Sequence, residues 1–251
     1  MAITHAEVDV RDAPGPAGEV VRQRECNAQA GLYRLLGRCL EAEVDDALLE
    51  VLRAQLRQPL AEAGLTFDDA FFNATTRDLL DTLAEEYSGL FVAPGGVSPY
   101  ASVFETGRMF QEPADRAERA YRLAGLAFNR RMSGEFADHI GTMLTFVGLL
   151  YQAEADALER EDSDAARARR SMREGFVLAE LAAWGPGWCR RAREAAMHVF
   201  YQQLLMLAES VLWFELESLA DRKRLKELAA LNSRAPIVLD YDADFRKASG
   251  L

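Results

Sequence analysis

The chain has 251 residues, of which 49% are hydrophobic and 27% charged, enough to build one large domain or two small ones. No window contains the roughly eighteen uncharged apolar residues that a membrane span requires. The first residues also lack the apolar core of a signal peptide, so we expect a cytoplasmic protein without stable membrane association. Cys26, Cys39 and Cys189 are widely spaced and form no CxxC motif, which indicates reduced core cysteines rather than disulfides or a metal site.

The net charge of −11 is concentrated in one part of the chain. Residues 41–86 contain twelve Asp or Glu and three Arg, which gives this segment a charge of −9. Nucleic acid is therefore not an expected partner, because its phosphates would be repelled. Two interpretations stay open, a cationic partner or an acidic face that only keeps the protein in solution.

Helical periodicity dominates the chain after its first part. Residues 1–24 are rich in Pro and Gly and have no periodicity, so they are predicted to form a flexible arm, with order beginning near Arg24. Beyond Arg24, apolar residues recur every three or four positions. This spacing predicts helices over 28–40, 48–56, 76–91, 113–131, 138–159 and 164–184.

The motif "WGPGW" at 184–188 predicts a helix break, because Pro186 removes a backbone donor and the flanking glycines are conformationally free. A long apolar helix is expected to restart near Trp188. No convincing alternating strand is present, and "APIVLDY" near the end is short and isolated. The sequence therefore predicts an all-α, single-domain bundle of about nine helices over 25–232, followed by a C-terminal tail at 233–251.

Two Glu-His pairs are candidates for a metal site. Glu135 and His139 stand four residues apart, as do Glu194 and His198. Di-iron bundles use Glu-x-x-His spacing instead, so no metal or cofactor is expected, and His198 is interpreted as a hydrogen-bonded histidine at the edge of the core. Neither a nucleophile elbow nor a glycine-rich phosphate loop is present, which disfavours an enzyme. A helical metalloprotein or enzyme, and a non-catalytic scaffolding domain, remain as alternatives.

The segment 85–107 is an unusually apolar connection. It contains the following apolar residues among its prolines and glycines: Val97, Pro99, Tyr100, Val103 and Phe104. Exposed loops are normally polar, so this one either packs back on the body of the protein or offers a peptide-binding surface.

Three segments resemble a known family in their order and spacing. They are "EYSGLFVAPGGVSPYASVF", "FADHIGTMLTFVGLLY" and "FVLAELAAWGPGWCRRAREAAMHVFYQQLLMLAESVL". Together they resemble the TorD/DmsD family of redox-enzyme maturation chaperones over about residues 25–220. The resemblance implies an all-helical chaperone without catalytic turnover. Such proteins bind the twin-arginine leader and the apo-form of a molybdopterin enzyme of the dimethyl-sulfoxide-reductase type, assist cofactor insertion and proofread export.

The resemblance also implies a set of site residues. The family's leader-binding region corresponds here to Tyr87, Leu90, Phe91, Pro94, Ser98, Pro99, Tyr100, Ser102, Val103, Asp138 and His139. Trp184 and Pro186 match the helix break, and Glu135 and Trp184 complete the predicted peptide-binding set. The chain departs from the family at Ala137, where proline is usual, and at Glu180, where many members have histidine. A hinge at 92–112 makes either a monomer or a domain-swapped homodimer the expected state.

A leader with two guanidinium groups and an apolar stretch requires carboxylates beside an apolar groove. Carboxylates flank the aromatic connection at Glu85, Glu86, Glu105, Glu135 and Asp138. We expect the Asp138-His139 pair to lie near this connection. Two roles for Asp138 stay open: it accepts a hydrogen bond from a leader arginine, or it caps the helix that follows it. In the first case His139 either orients that carboxylate or contacts the peptide backbone.

Overall fold

The computed structural model describes residues 16–62, 64–129 and 136–239. Within these ranges the chain forms twelve helices, nine of them seven residues or longer, and no strand. The predicted all-α class is therefore confirmed. None of the helices in the described ranges is long and apolar enough to cross a membrane.

The helices follow one another with short connections. The first six are α1 (Pro16–Glu41), α2 (Asp46–Glu50, extended by a π-helical turn, Val51–Gln55), α3 (Arg57–Glu62), α4 (Asp69–Asn73), α5 (Thr76–Tyr87, extended by a π-helical turn, Ser88–Val92) and α6 (Ala101–Thr106). The last six are α7 (Glu112–Leu123), α8 (Ile140–Glu159), α9 (Ser163–Phe176, extended by a π-helical turn, Val177–Leu181), α10 (Gly185–Ala195), α11 (Val199–Leu219) and α12 (Arg222–Asn232).

Several predicted boundaries differ from the observed ones. Helix α1 begins at Pro16, so residues 16–24 are helical rather than part of an arm, while residues 1–15 lie outside the described ranges. A proline at the first helical position is favourable, because its missing N–H would have no partner there. Helix α7 ends at Leu123 rather than near 131, and Gly125 follows with a φ of 81°. Glycine adopts this left-handed conformation without strain, which explains the early stop.

The long helix expected from Trp188 is instead two helices, α10 and α11. The break is stabilised from outside, because the Glu86 carboxylate of α5 accepts hydrogen bonds from the N–H groups of Met197 (2.6 Å) and His198 (3.1 Å). His198 itself caps α11, with its Nδ1 accepting from the Phe200 N–H at 3.1 Å. Glu194 and His198 are therefore not on one helix face, and the assumption behind their metal-like spacing is wrong.

Helices α1 and α8 pack along each other at backbone contact. Glycine makes this approach possible: a Cβ atom added at Gly141 would lie 2.7 Å from the Glu41 nitrogen, and one at Gly37 would lie 2.7 Å from the carbonyl oxygen of Gly141. A Cβ atom at Gly148 would likewise lie 3.0 Å from the carbonyl oxygen of Ala30. The end of α1 is therefore held directly against the start of α8.

A buried polar cluster joins α1, α8, α9 and α11. Arg173 is hydrogen-bonded to Glu215 and lies over the Tyr151 ring, with 4.0 Å between its guanidinium carbon and the ring centroid. The hydroxyl groups of Tyr33 (3.5 Å) and Tyr151 (2.5 Å) donate to Glu215 Oε2. Burial raises the pKa of both tyrosines, so their hydroxyls remain donors. The carboxylate of Glu154 lies 3.8 Å from Arg173 on the other side.

The three cysteines are free and buried, which confirms their interpretation as core residues. Burial raises the pKa of Cys39 to about 12, so its thiol stays protonated. Beyond α12, the described part of the predicted tail runs back to α6. The Ile237 N–H donates to the Phe104 carbonyl oxygen at 3.1 Å, and residues 240–251 lie outside the described ranges.

Candidate functional site

A cleft of about 1010 Å³ lies between the end of α1, the end of α5, the connection 93–100 and the start of α8. Its lining contains three carboxylates, Glu41, Glu43 and Asp45, and the guanidinium of Arg38, which is paired with Asp45. Its apolar lining includes Tyr87, Phe91, Val92, Pro99, Tyr100, Met109, Phe128 and Phe136. The cleft thus places negative charge beside an aromatic surface, which is the combination that a cationic and partly apolar peptide requires.

The connection 93–100 packs on the body of the protein and lines the cleft at the same time. The Trp188 indole N–H donates to the Ser98 carbonyl oxygen at 2.8 Å, and the Phe91 ring stacks on the Trp188 ring at 5.7 Å. The Val97 N–H donates to the Leu90 carbonyl oxygen at 2.7 Å. These contacts favour packing back on the body, yet they leave Ser98 facing the cleft.

The aromatic connection meets the Asp138-His139 pair, as the sequence predicted. The Ile140 N–H donates to the Pro99 carbonyl oxygen (2.9 Å), and the Ala101 N–H donates to the Asp138 carbonyl oxygen (3.1 Å). These two bonds form an isolated antiparallel bridge between Tyr100 and His139. The bridge brings together segments that are almost forty residues apart in sequence.

Asp138 caps a helix, but not the one that follows it. Its side chain is fully buried, and its Oδ2 atom accepts a hydrogen bond from the Ser102 N–H at 2.7 Å, in the first turn of α6. Helix α8 starts at Ile140, and its N-cap is His139, whose Nδ1 accepts from the Gly141 N–H at 3.0 Å. Of the two roles left open for Asp138, the cap on its own helix is therefore wrong, because α8 begins two residues later than expected. Asp138 does not line the cleft.

Asp138→Ala is expected to lower the free energy of unfolding by about 1–3 kcal/mol, because the buried Ser102 N–H loses its acceptor. Asp138→Asn keeps an acceptor oxygen at this position, so its loss should be clearly smaller. Urea denaturation followed by circular dichroism measures both variants. Equal stabilities for the alanine variant and the unmodified protein would contradict the capping role.

His139 presents a neutral imidazole to the cleft. The residue is 7% exposed, and burial lowers its pKa to about 4, so the ring is uncharged near pH 7. Because Nδ1 accepts from Gly141, the ring proton resides on Nε2. The unfolded chain binds a proton near pH 6.5 and the folded chain only near pH 4, so His139 makes folding less stable as the pH falls between these values.

About half of the predicted peptide-binding residues line the cleft. They are Tyr87, Phe91, Ser98, Pro99, Tyr100 and His139. Four others are buried in the body of the protein and do not line it: Leu90, Ser102, Asp138 and Trp184. Val103 is half-buried in α6, Pro94 is exposed in the connection, and Glu135 lies outside the described residues.

Besides Asp138, two more of the carboxylates expected to face a cationic peptide are used by the fold instead. Glu86 stabilises the start of α11, and Glu105 is paired with Arg116 at 3.1 Å. Arg116 also binds Glu180 at 2.9 Å, which gives the family departure at Glu180 a structural partner. Glu85 is exposed but does not line the cleft.

The three carboxylates that do line the cleft, Glu41, Glu43 and Asp45, were not among the predicted site residues. The acidic segment 41–86 contained the signal, since it begins at these residues. Met109, Phe128 and Phe136 were also missed, because they reach the cleft only through tertiary packing. Among the residues that the structure describes, no group of three or more His, Cys, Asp and Glu is placed to hold a metal ion.

The sequence model of the nitrate reductase delta subunit family matches residues 38–190, more than half of the chain. The chain belongs to this family. Nitrate reductase delta subunit proteins are the TorD/NarJ-type redox-enzyme maturation chaperones, so the resemblance found in the sequence is confirmed at this level. The matched range contains the acidic end of α1, the connection 93–100 and the Asp138-His139 pair. A search of the curated proteins found no match.

Members of the nitrate reductase delta subunit family are chaperones of molybdoenzyme maturation and not catalysts. The protein is accordingly a molybdoenzyme-specific chaperone, and its partner is the catalytic subunit of such an enzyme. A chaperone acts by binding, so the chemistry of its site lies in shape, charge and hydrogen-bond donors.

Proposed function

We propose that this chaperone binds the twin-arginine leader of its client in the cleft between α1, α5 and α8. The client is a molybdoenzyme of the dimethyl-sulfoxide-reductase type. The chaperone binds it in the cytoplasm, assists cofactor insertion into the apo-form and delays export until insertion is complete.

The observation that carries this proposal is the acidic rim beside the aromatic lining of the cleft. The guanidinium groups of a leader would face the carboxylates, and its apolar stretch, bound as a helix, would lie on the rings at i, i+3 and i+4 spacing. A volume of about 1010 Å³ accommodates a short peptide segment rather than a whole domain. The acidic charge would also speed the encounter with a cationic leader.

Calorimetric titration of the full chain with leader peptides from molybdoenzymes tests the proposal. A leader with Arg-Arg should bind, and its Lys-Lys counterpart should bind about tenfold more weakly, because an ammonium cannot form the bidentate pair of a guanidinium. A leader with a scrambled apolar stretch serves as the second control. Absence of binding to every leader in the panel would refute the proposed function.

The predicted hinge at 92–112 contains the connection 93–100 and helix α6, and its middle is hydrogen-bonded to other parts of the chain at Pro99, Ala101 and Phe104. Exchange of one side of this hinge between two copies would form a domain-swapped homodimer. The choice between monomer and swapped dimer stays a prediction.

A further inference from the structure

The three carboxylates at the end of α1 differ in their partners. Asp45 is paired with Arg38 at 2.6 Å and caps α2 through the Leu48 N–H at 2.9 Å. Glu41 accepts a hydrogen bond only from the Thr142 hydroxyl (3.0 Å), and Glu43 only from the Ser88 hydroxyl (3.4 Å), among the described residues. Neither Glu41 nor Glu43 forms a salt bridge within the described part of the chain, so no Arg or Lys of these ranges is paired with them.

The position of these carboxylates makes a cation favourable. The C-terminal end of a helix carries a partial negative charge, so a carboxylate there is disfavoured unless a cation lies nearby. Arg38 is the cation in the last turn of α1, and it is already bound to Asp45 and to the carbonyl oxygens of Ala42 and Glu43. Arg38 lines the cleft as well, but its guanidinium is bound to these partners, so among the described residues Glu41 and Glu43 have no paired cation beside the aromatic lining.

His139 adds a second, independent feature that indicates a bound ligand. It is more than nine-tenths buried, it lines the cleft, and its Nε2 has no hydrogen-bond partner among the described residues. His139 and Glu41 line the same cleft, and the Thr142 hydroxyl in the first turn of α8 donates to Glu41 at 3.0 Å. A fixed neutral donor beside two unpaired carboxylates suits a main-chain carbonyl that belongs to a cationic peptide.

We propose that Glu41 and Glu43 form the arginine-binding part of the cleft, and that the Nε2–H of His139 donates to a main-chain carbonyl oxygen of the same peptide. This inference rests on the proposed function and assigns the recognition of the guanidinium pair to α1 rather than to Asp138. Asp138 is buried and bonded to Ser102, so it positions the start of α6, directly after Tyr100.

A double-mutant cycle tests the assignment. The two proteins are the full chain and its Glu41→Gln/Glu43→Gln variant, and the two peptides are an Arg-Arg leader and the same leader with two citrullines. Glutamine still accepts from Thr142 and Ser88, so the fold is retained. The full chain should prefer the Arg-Arg leader by about tenfold or more, and the variant should bind both peptides equally.

The variant Glu50→Gln/Glu85→Gln is the matched control. It removes the same charge from exposed positions outside the cleft and should keep the preference for the Arg-Arg leader.

The variant His139→Asn tests the second half of the assignment, the hydrogen bond from His139 Nε2–H to the peptide main chain. Asparagine is a good N-cap, so α8 keeps its cap while the Nε2–H donor is lost. The variant should bind both peptides more weakly by a similar factor, without a change in the Arg-Arg preference. If the Glu41→Gln/Glu43→Gln variant keeps the full preference, the assignment is wrong and the proposed function still stands. If the unmodified chain binds neither peptide, the proposed function fails as well.

Discussion

Glu215→Leu is expected to lower the free energy of unfolding by about 3–5 kcal/mol, the largest loss that we predict for a single charged residue. The substitution leaves the Arg173 guanidinium, which is 3% exposed, without its closest counter-charge. The hydroxyls of Tyr33 and Tyr151 lose their acceptor at the same time. Urea denaturation measures the loss, and the double variant Arg173→Met/Glu215→Leu should recover part of it, because it removes both charges of the pair but leaves the two tyrosine hydroxyls without their acceptor.

The surface pair Arg224–Glu227 provides the matched control for Glu215. Its two groups are 3.1 Å apart and about half exposed, so Glu227→Leu should change stability by less than about 1 kcal/mol. If Arg173→Met/Glu215→Leu is as unstable as Glu215→Leu alone, packing and not the unpaired Arg173 charge is responsible for the loss.

Trp188→Ala is expected to lower the free energy of unfolding by about 3–5 kcal/mol, because the ring is 1% exposed and stacks on Phe91. Trp188→Phe should cost less, about 1–3 kcal/mol, since it keeps a ring but removes the donor to Ser98. The same change frees the connection 93–100, so the proposed leader affinity should fall as well. Chemical denaturation and calorimetry measure the two effects.

Trp184→Phe is the control for this prediction. Its indole N–H donates to the Glu180 carbonyl oxygen at 2.7 Å, four residues earlier in the chain, and the ring does not line the cleft. The variant should lose a comparable amount of stability and keep the peptide affinity of the unmodified chain. Equal peptide affinities for Trp188→Phe and Trp184→Phe would contradict the role of Trp188 in holding the connection.

The helical fold could be predicted from the sequence because its signal is local. Apolar residues at three- and four-residue spacing identified the cores of α1, α5, α8 and α11. The break between α10 and α11 could not be predicted, because the Glu86 carboxylate that stabilises it comes from more than one hundred residues away. A helix boundary that depends on a side chain from a distant part of the chain leaves no pattern in the local sequence.

Part of the candidate site could also be predicted, because some of its residues lie in one local sequence motif. Tyr87, Phe91 and Tyr100 belong to a contiguous motif, so their resemblance to a family could be read directly. The role of Asp138 depended on where α8 begins, and a shift of two residues moved its carboxylate from α8 to α6. Glu41 lay in the acidic segment, but charge alone did not indicate which carboxylates the fold leaves unpaired.

The glycine contacts between α1 and α8 have a consequence for binding. Gly37, Gly141 and Gly148 hold the two helices at backbone distance, so Glu41 and His139 belong to one rigid unit on one side of the cleft. The opposite side, the connection 93–100, is held by a few hydrogen bonds and stacked rings. The side formed by α1 and α8 is preorganised for binding. The conformational entropy lost on binding therefore comes mainly from the peptide and from the connection 93–100.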